Sequence, residues 1–470
     1  MPVILSFVGA YENGSEINTC PPQDSMAEEM DEDPAYQVVQ EDEENEEEEV
    51  DGGEEEEEVD GDEEENVFDW VVDEELLDHE LSSGNDSFEM DTPAERSGHI
   101  AVMDGSNMYV WGGYKNTQTT GFLDFYLPRN EIWIYNTEIR RWKKRVTEGD
   151  MPPSMSGSCA VCVEGVLYLF GGHHARGNTD RFYRLPLRTT EVLCWENMRN
   201  LKGLAPTCKD KLGCWVHQNR LAFFGGYGYV AQGGHLGTFE YDESSFWANG
   251  AGRGWNNHIH VLDLDTFTWS QPITKGNPPS PRAAHACATV GNRGFVFGGR
   301  YREHRLNDLY YINLDTWEWT EMSVPQQGPV GRSWHSFIPV SPDHIFLYGG
   351  FTTDKQTLSD AWLYCVSTNE WKSYKHSNTE SPRLWHTACY GPDGEVFVFG
   401  GCANNLLSHQ QAAHSNEVLI FSVQPKSLVR FCMEAVLQYR EQLAGSWNLL
   451  PKHLLHRLMP RLGVINTLGS

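Results

Sequence analysis

The chain has 470 residues and a formal net charge of -33. The first 95 residues hold 37 of the 68 acidic side chains and no Lys or Arg, leaving 31 acids against 35 basic residues in the remainder. This excludes a strongly acidic folded surface, and no run of 18 apolar residues suggests a membrane-spanning helix.

The opening stretch from Met1 to Ala10 is apolar but lacks the basic flank of a secretory signal. With that flank missing, the 11 cysteines read as reduced thiols of the nucleus or cytoplasm. Cys159 and Cys162 form a C-x-x-C in an alternating segment with no second pair at zinc spacing, so strand packing is expected and no metal site. Residues 1–92 are expected to be a disordered acidic arm, because runs such as Glu54 to Glu58 repel and offer little apolar surface. Within the arm, Val67-Phe68-Asp69-Trp70-Val71-Val72 is an apolar island with the character of a docking motif.

From residue 93 to 423 a Gly-Gly doublet recurs six times behind aromatic and β-branched residues, at Gly112, Gly171, Gly225, Gly298, Gly349 and Gly400. Each of the first five doublets is followed by a Trp: Trp142, Trp195, Trp269, Trp319 and Trp371. Each unit opens on a short motif, best seen as Arg282-Ala283-Ala284-His285, Arg332-Ser333-Trp334-His335 and Arg383-Leu384-Trp385-His386. A period near fifty residues with these features resembles the kelch repeat, whose unit is a four-stranded propeller blade. The predicted fold is all-β, a six-bladed kelch β-propeller. The sixth unit lacks its Trp, and a strand from residues 86–95 is expected to complete it and cover the open edge.

Hairpin geometry sends the residue after each doublet back to the face where its unit began. Tyr114, His173, Tyr227, Arg300, Phe351 and Cys402 should therefore ring one mouth with the unit starts, joined by long loops near 114–130, 227–257 and 402–416. Arg300, Arg302 and Arg305 crowd the fourth unit, and Lys211 stands where other units have the opening Arg. With Ser333 and the aromatic residues Tyr114, Tyr227, Trp255 and Trp385, this set suits a carboxylate at the end of an extended peptide. The recurring Arg282, Arg332 and Arg383 are instead expected to be structural links between blades. No catalytic residue is expected: the sequence lacks H-E-x-x-H, G-x-S-x-G and a P-loop. A copper oxidase remains a remote alternative by fold analogy alone.

Residues 424–461 change to helical periodicity, with Leu428, Phe431, Cys432, Ala435 and Val436 on one stripe behind the N-cap candidate Ser427. The pattern fits a helix that covers the propeller. It also resembles the BC box, by which Leu428, Cys432 and Val436 would enter apolar pockets of elongin C. Leu450-Pro451-Lys452-His453-Leu454 resembles a cullin-2 box. Together these motifs resemble the kelch-repeat substrate receptors of cullin-2 RING ubiquitin ligases.

That resemblance implies a non-catalytic subunit that binds C-terminal glycine degrons, with elongin B, elongin C, cullin-2 and its RING subunit as partners. Arg300, Arg305 and Ser333 would grip the terminal carboxylate, and Lys211, Tyr114, Tyr227, Trp255 and Trp385 would line the pocket. Cofactors, nucleic acid and membranes are not expected. The rival reading is a kelch scaffold that binds actin or chromatin partners. The tail 462–470 ends in Gly469 and Ser470, a possible self-degron through which copies would associate.

Overall fold

A computed structural model describes residues 92–116, 124–230, 233–245, 252–323, 327–408 and 411–462. The acidic arm up to residue 91 and its apolar island lie outside the described residues, as does the tail with Gly469 and Ser470.

The described residues form six blades around a closed ring. Blade 1 comprises Ile100–Asp104, Asn107–Trp111, Glu131–Asn136 and Arg141–Gly149, all antiparallel from the inside outward. Blades 2 to 5 repeat the order, for example Ala286–Val290, Arg293–Phe297, Leu309–Asn313 and Glu318–Met322 in blade 4. In blade 6, Thr387–Tyr390, Glu395–Phe399 and Val418–Ser422 form three strands. Of the segment expected to supply the fourth, residues 92–95 are described and carry no strand. They are tied to the blade nonetheless: Asn416 donates to the Pro93 carbonyl at 3.1 Å, and the Arg96 amide donates to Ser415 O.

The inner faces alternate aromatic and aliphatic residues, so successive blades pack ring against ring. The residue just before each Gly-Gly doublet receives the outer-strand Trp of the next blade. Trp195 meets Trp111 with centroids 5.5 Å apart, Trp269 meets Phe170 at 5.8 Å, Trp319 meets Phe224 at 5.3 Å, and Trp371 meets Phe297 at 5.0 Å. Trp142 of blade 1 completes the circle against Phe399 of blade 6 at 4.8 Å. Blade 6 has no Trp to offer, and Tyr348 is covered by Phe421 and His376 instead.

Two rings of backbone hydrogen bonds fasten the blades at the mouth. In the first, the amide of the second glycine of each doublet donates to the carbonyl of the residue that opens the next blade: Gly113 to Met155, Gly172 to Lys209, Gly226 to Arg282, Gly299 to Arg332, Gly350 to Arg383 and Gly401 to Arg96. In the second, nearer the axis, Gly157 donates to Gly98 O, Lys211 to Gly157 O, Ala284 to Lys211 O, Trp334 to Ala284 O, Trp385 to Trp334 O and Gly98 to Trp385 O, at 2.9 to 3.2 Å. All six inner-ring residues have left-handed backbone angles, with φ between 54° and 80°. Glycine adopts these angles freely, whereas Lys211, Ala284, Trp334 and Trp385 each cost about 1 kcal/mol or more there. The closed circuit of hydrogen bonds holds them in place.

The opening arginines correct one expectation. Their side chains brace their own blade, not the next. Arg282 donates to Gly298 O and forms a forked pair with Asp308, and Arg332 does the same with Gly349 O and Asp360. It is their backbones that link blades: the carbonyls accept from the doublets, and the amides of Arg282, Arg332 and Arg383 donate to Asn256, Leu306 and Leu358 of the preceding blade. In the third unit this opening position belongs to Lys209 and not, as expected, to Lys211, since Lys209 O is the carbonyl that accepts from Gly172.

Candidate ligand pocket and the opposite face

The residue after each doublet bridges the second residue of its own unit's opening motif: Ser97 with Tyr114, Ser156 with His173, Asp210 with Tyr227, Ala283 with Arg300, Ser333 with Phe351 and Leu384 with Cys402. This sets both groups of side chains around one mouth. The segments expected as long loops are built in part from paired strands. Tyr114–Asn116 pairs with Asp124–Tyr126, while Tyr227–Tyr229, Phe239–Tyr241 and Arg253–Asn256 join Lys209–Asp210 in a small sheet.

A small cleft opens at the mouth, lined by Lys211, Tyr227, Trp255, Ala283, Ala284, Arg300, Ser333 and Trp334. Five of these are residues singled out in the sequence. Arg300 and Arg305 face each other across the ribbon formed by Arg300–Tyr301 and His304–Arg305. The Arg300 guanidinium lies 5.4 Å from the Trp255 ring, and its Nε donates to Arg302 O at 2.7 Å. Arg305 stands behind the cavity wall, donating from Nε to Ser333 Oγ at 3.0 Å and lying over Phe351. Arg302, although in the same cluster of the sequence, turns outward to Glu240.

Lys211 is buried, with Nζ 3.0 Å from Asp210 Oδ2 and 5.0 Å from the centre of the Tyr227 ring. Burial pushes its pKa down to about 8; Asp210 opposes the shift, and the neighbouring Arg253 and Arg300 add to it. Tyr227 is held by a 2.9 Å hydrogen bond to Asp242, and burial followed by that carboxylate raises its pKa. The result is a cleft with aromatic walls, two cations, Lys211 and Arg300, and the hydroxyls of Ser333 and Tyr227.

Tyr114 and Trp385 stand beyond the cavity itself and continue its aromatic wall. Trp385 stacks on Trp334 at 5.7 Å with planes 9° apart, and Tyr114 packs on Trp385 at 4.9 Å. Tyr114 is backed in turn by His414, whose ring nitrogens bond Ser97 Oγ at 2.7 Å and Asn116 Oδ1 at 2.9 Å. Sequence reasoning missed Trp334, Ala283 and Ala284. Trp334 occupies the same column of the repeat as Trp385, so the alignment of units already held that signal. Nothing in the sequence distinguished His414, which comes from a segment that follows no repeat.

The C-terminal segment packs on the opposite face, where the turns around Asp393 and Glu138 lie. The helix Leu428–Gln438 starts on Ser427, whose hydroxyl accepts from the Arg430 amide at 3.2 Å. It is anchored by Arg430, which reaches Asp393 at 2.6 Å and Glu434 at 2.9 Å, and by buried Met433. The apolar stripe does not cover the propeller. Leu428 is 78% exposed and Phe431 56%, Cys432 and Ala435 are exposed, and Val436 is half-buried. Farther on, Pro451 precedes the short helix Lys452–Leu458; Pro451 is exposed, and Leu450 and Leu454 are half-buried. Arg461 approaches Glu138 and Asp393, tying this end to the same turns. An exposed apolar stripe on an anchored helix is the form of a helix-in-groove contact.

Comparison with known proteins agrees with the repeat. Residues 98–350 match the family described as the KLHDC2/KLHL20/DRC7 Kelch-repeats domain. The chain is 67% identical over 386 residues to human Kelch domain-containing protein 2, covering 82% of this chain and 95% of that protein. Against the bovine protein of the same name it is 65% identical over 402 residues, covering 84% and 99%. Human Kelch domain-containing protein 1 is 43% identical over 371 residues, covering 78% and 90%. With the repeat, the six blades and these similarities together, the chain belongs to the kelch-repeat family of Kelch domain-containing protein 2.

Proposed function

We propose that this chain is the non-catalytic substrate-recognition subunit of a cullin-2 RING E3 ubiquitin ligase that binds C-terminal glycine degrons. The observation that carries the reading is the mouth cavity, where Lys211, Arg300 and Ser333 stand among aromatic walls. A free peptide carboxylate suits guanidinium and ammonium donors in such a partly dehydrated site. Glycine suits a small cleft whose remaining walls are Trp255, Tyr227 and Trp334 with Ala283 and Ala284.

On the opposite face, Leu428, Cys432 and Val436 are offered to elongin C, which brings elongin B, and Leu450, Pro451 and Leu454 to cullin-2 with its RING subunit. A substrate held at the mouth is then carried to ubiquitination and proteasomal degradation without chemistry by the propeller itself. The work is placed in the nucleus and cytoplasm.

The test is binding of a fluorescent Gly-ended peptide to the full chain co-purified with elongins B and C, against the same peptide with an amidated terminus. Loss of binding on amidation is expected; equal affinity would remove the proposal.

A further inference from the structure

We infer that Lys211 is a nucleophilic amine in the mouth, and that it condenses reversibly with small carboxylate-bearing aldehydes, of which glyoxylate is the simplest, to form an imine on the protein. The inference rests on the carboxylate-binding reading above and adds covalent chemistry to it.

Position comes first. The inner hydrogen-bond ring fixes the backbone of Lys211, which lines the same cleft as Arg300 and Ser333, and its Nζ lies 5.0 Å from the centre of the Tyr227 ring, another wall of that cleft. A ligand whose carboxylate is held by Arg300 and Ser333 carries its adjacent carbon into the space that Lys211 borders. In glyoxylate that adjacent carbon is the aldehyde, so holding the acid also presents the electrophile.

The groups around the amine supply the rest. A buried lysine flanked by cations loses much of its preference for the charged form. The groups that face it are Asp210, which favours the ammonium, Arg253 and Arg300, which oppose it, the phenol ring of Tyr227, and His173, which burial holds neutral. With Lys211 near a pKa of about 8, an appreciable fraction is free amine under physiological conditions. Asp210 is the proton carrier: its carboxylate lies 3.0 Å from Nζ, and burial raises its pKa against the opposing pull of Lys211.

The chemistry then balances without a further reagent. Asp210 takes a proton from the ammonium, and the Nζ lone pair attacks the aldehyde carbon to give a carbinolamine. The carbinolamine hydroxyl leaves as water with the proton returned by Asp210, and the C=N bond forms. Asp210 ends as it began, and the net change is ammonium plus aldehyde to protonated imine plus water. Lys209, also buried, does not share this arrangement, since its Nζ is bonded to Asn256 Oδ1 and it does not line the cavity.

The test treats the full chain with glyoxylate and cyanoborohydride, which reduces an imine to carboxymethyl-lysine, and maps adducts by peptide mass. Lys211 is expected to be modified at a glyoxylate concentration at least roughly tenfold below that needed for exposed Lys202 or Lys372. Acetaldehyde, which lacks the carboxylate, should show a smaller preference, and excess Gly-ended peptide should protect Lys211. Modification of Lys211 no faster than of the exposed lysines, while the peptide still binds, would overturn the inference and leave the degron reading intact. Preferential modification without protection by the peptide would uphold the inference and count against the degron reading.

Discussion

Arg305 in the fourth blade donates from Nε to Ser333 Oγ at the start of the fifth, and both residues are buried. Because the Ser333 oxygen accepts from the guanidinium, its own proton remains available to a ligand. The pair therefore joins two blades and offers a polarised hydroxyl beside Arg300.

Removing that hydroxyl should weaken carboxylate binding without unfolding the ring. Ser333→Ala is expected to reduce affinity for a Gly-ended peptide by roughly tenfold to a hundredfold, the range for a hydrogen bond to a charged group. Fluorescence polarisation on the purified chain measures it, and an unchanged affinity would separate Ser333 from the ligand.

Affinity should also depend on pH through Lys211. Its folded pKa lies below that of an exposed lysine, at about 8, so its charge is present below that value and lost as pH rises through it. A carboxylate ligand should bind more weakly above pH 8, and Lys211→Arg, which stays charged, should flatten the profile. The sign for stability is opposite. Between pH 8 and the unfolded pKa the unfolded chain holds more protons, so this residue makes the fold more stable as pH rises. A titration of peptide affinity alongside denaturant midpoints tests both directions.

The inner ring is sensitive at Gly98. A Cβ there would sit 2.5 Å from the Trp385 indole, at a φ of +66° that a side chain already disfavours. Gly98→Ala should cost about 1–3 kcal/mol and displace Trp385. Thermal unfolding and Trp fluorescence should change together; no change in either would mean that the ring tolerates a side chain at this point.

Two substitutions on the C-terminal helix should separate attachment from partner binding. Leu428 is mostly exposed, so Leu428→Ala should alter stability by no more than about 0.5 kcal/mol while sharply reducing capture of elongins B and C. Arg430→Ala should instead loosen the helix from the propeller, because it leaves Asp393 without its principal cation. Hydrogen exchange over residues 427–438 distinguishes the two.

Much of this organisation was legible in the sequence because the repeat places chemically matched residues in register. The doublets marked the mouth ends of the second strands, and the Trp residues marked the outer strands. Arg300 stood out because other units have no cation in its column, whereas Lys211 was aligned with the opening arginines, a place that Lys209 holds in the structure. Trp334 did not, because next to Trp385 it looked like part of the repeat. The outward face of Leu428 and Phe431 was also hidden: an apolar stripe has the same spacing whether it is buried against its own domain or awaits another. The hydrogen-bond rings involve no side chain, so residue identity gave only an indirect sign of them, through the doublets in the first ring and through Gly98 and Gly157 in the inner one.

The inner ring has an electrostatic consequence. Its six N–H to carbonyl bonds all run in one rotational sense, so the parts of these dipoles that lie in the plane of the ring follow one another around the axis and cancel. Unlike the open N-terminus of a helix, the ring has each of these six N–H groups taken by a carbonyl and offers none of them to a ligand. Recognition then falls to the side chains mounted on the frame and beside it, so each blade can change its part of the recognition surface without disturbing the circuit that closes the propeller.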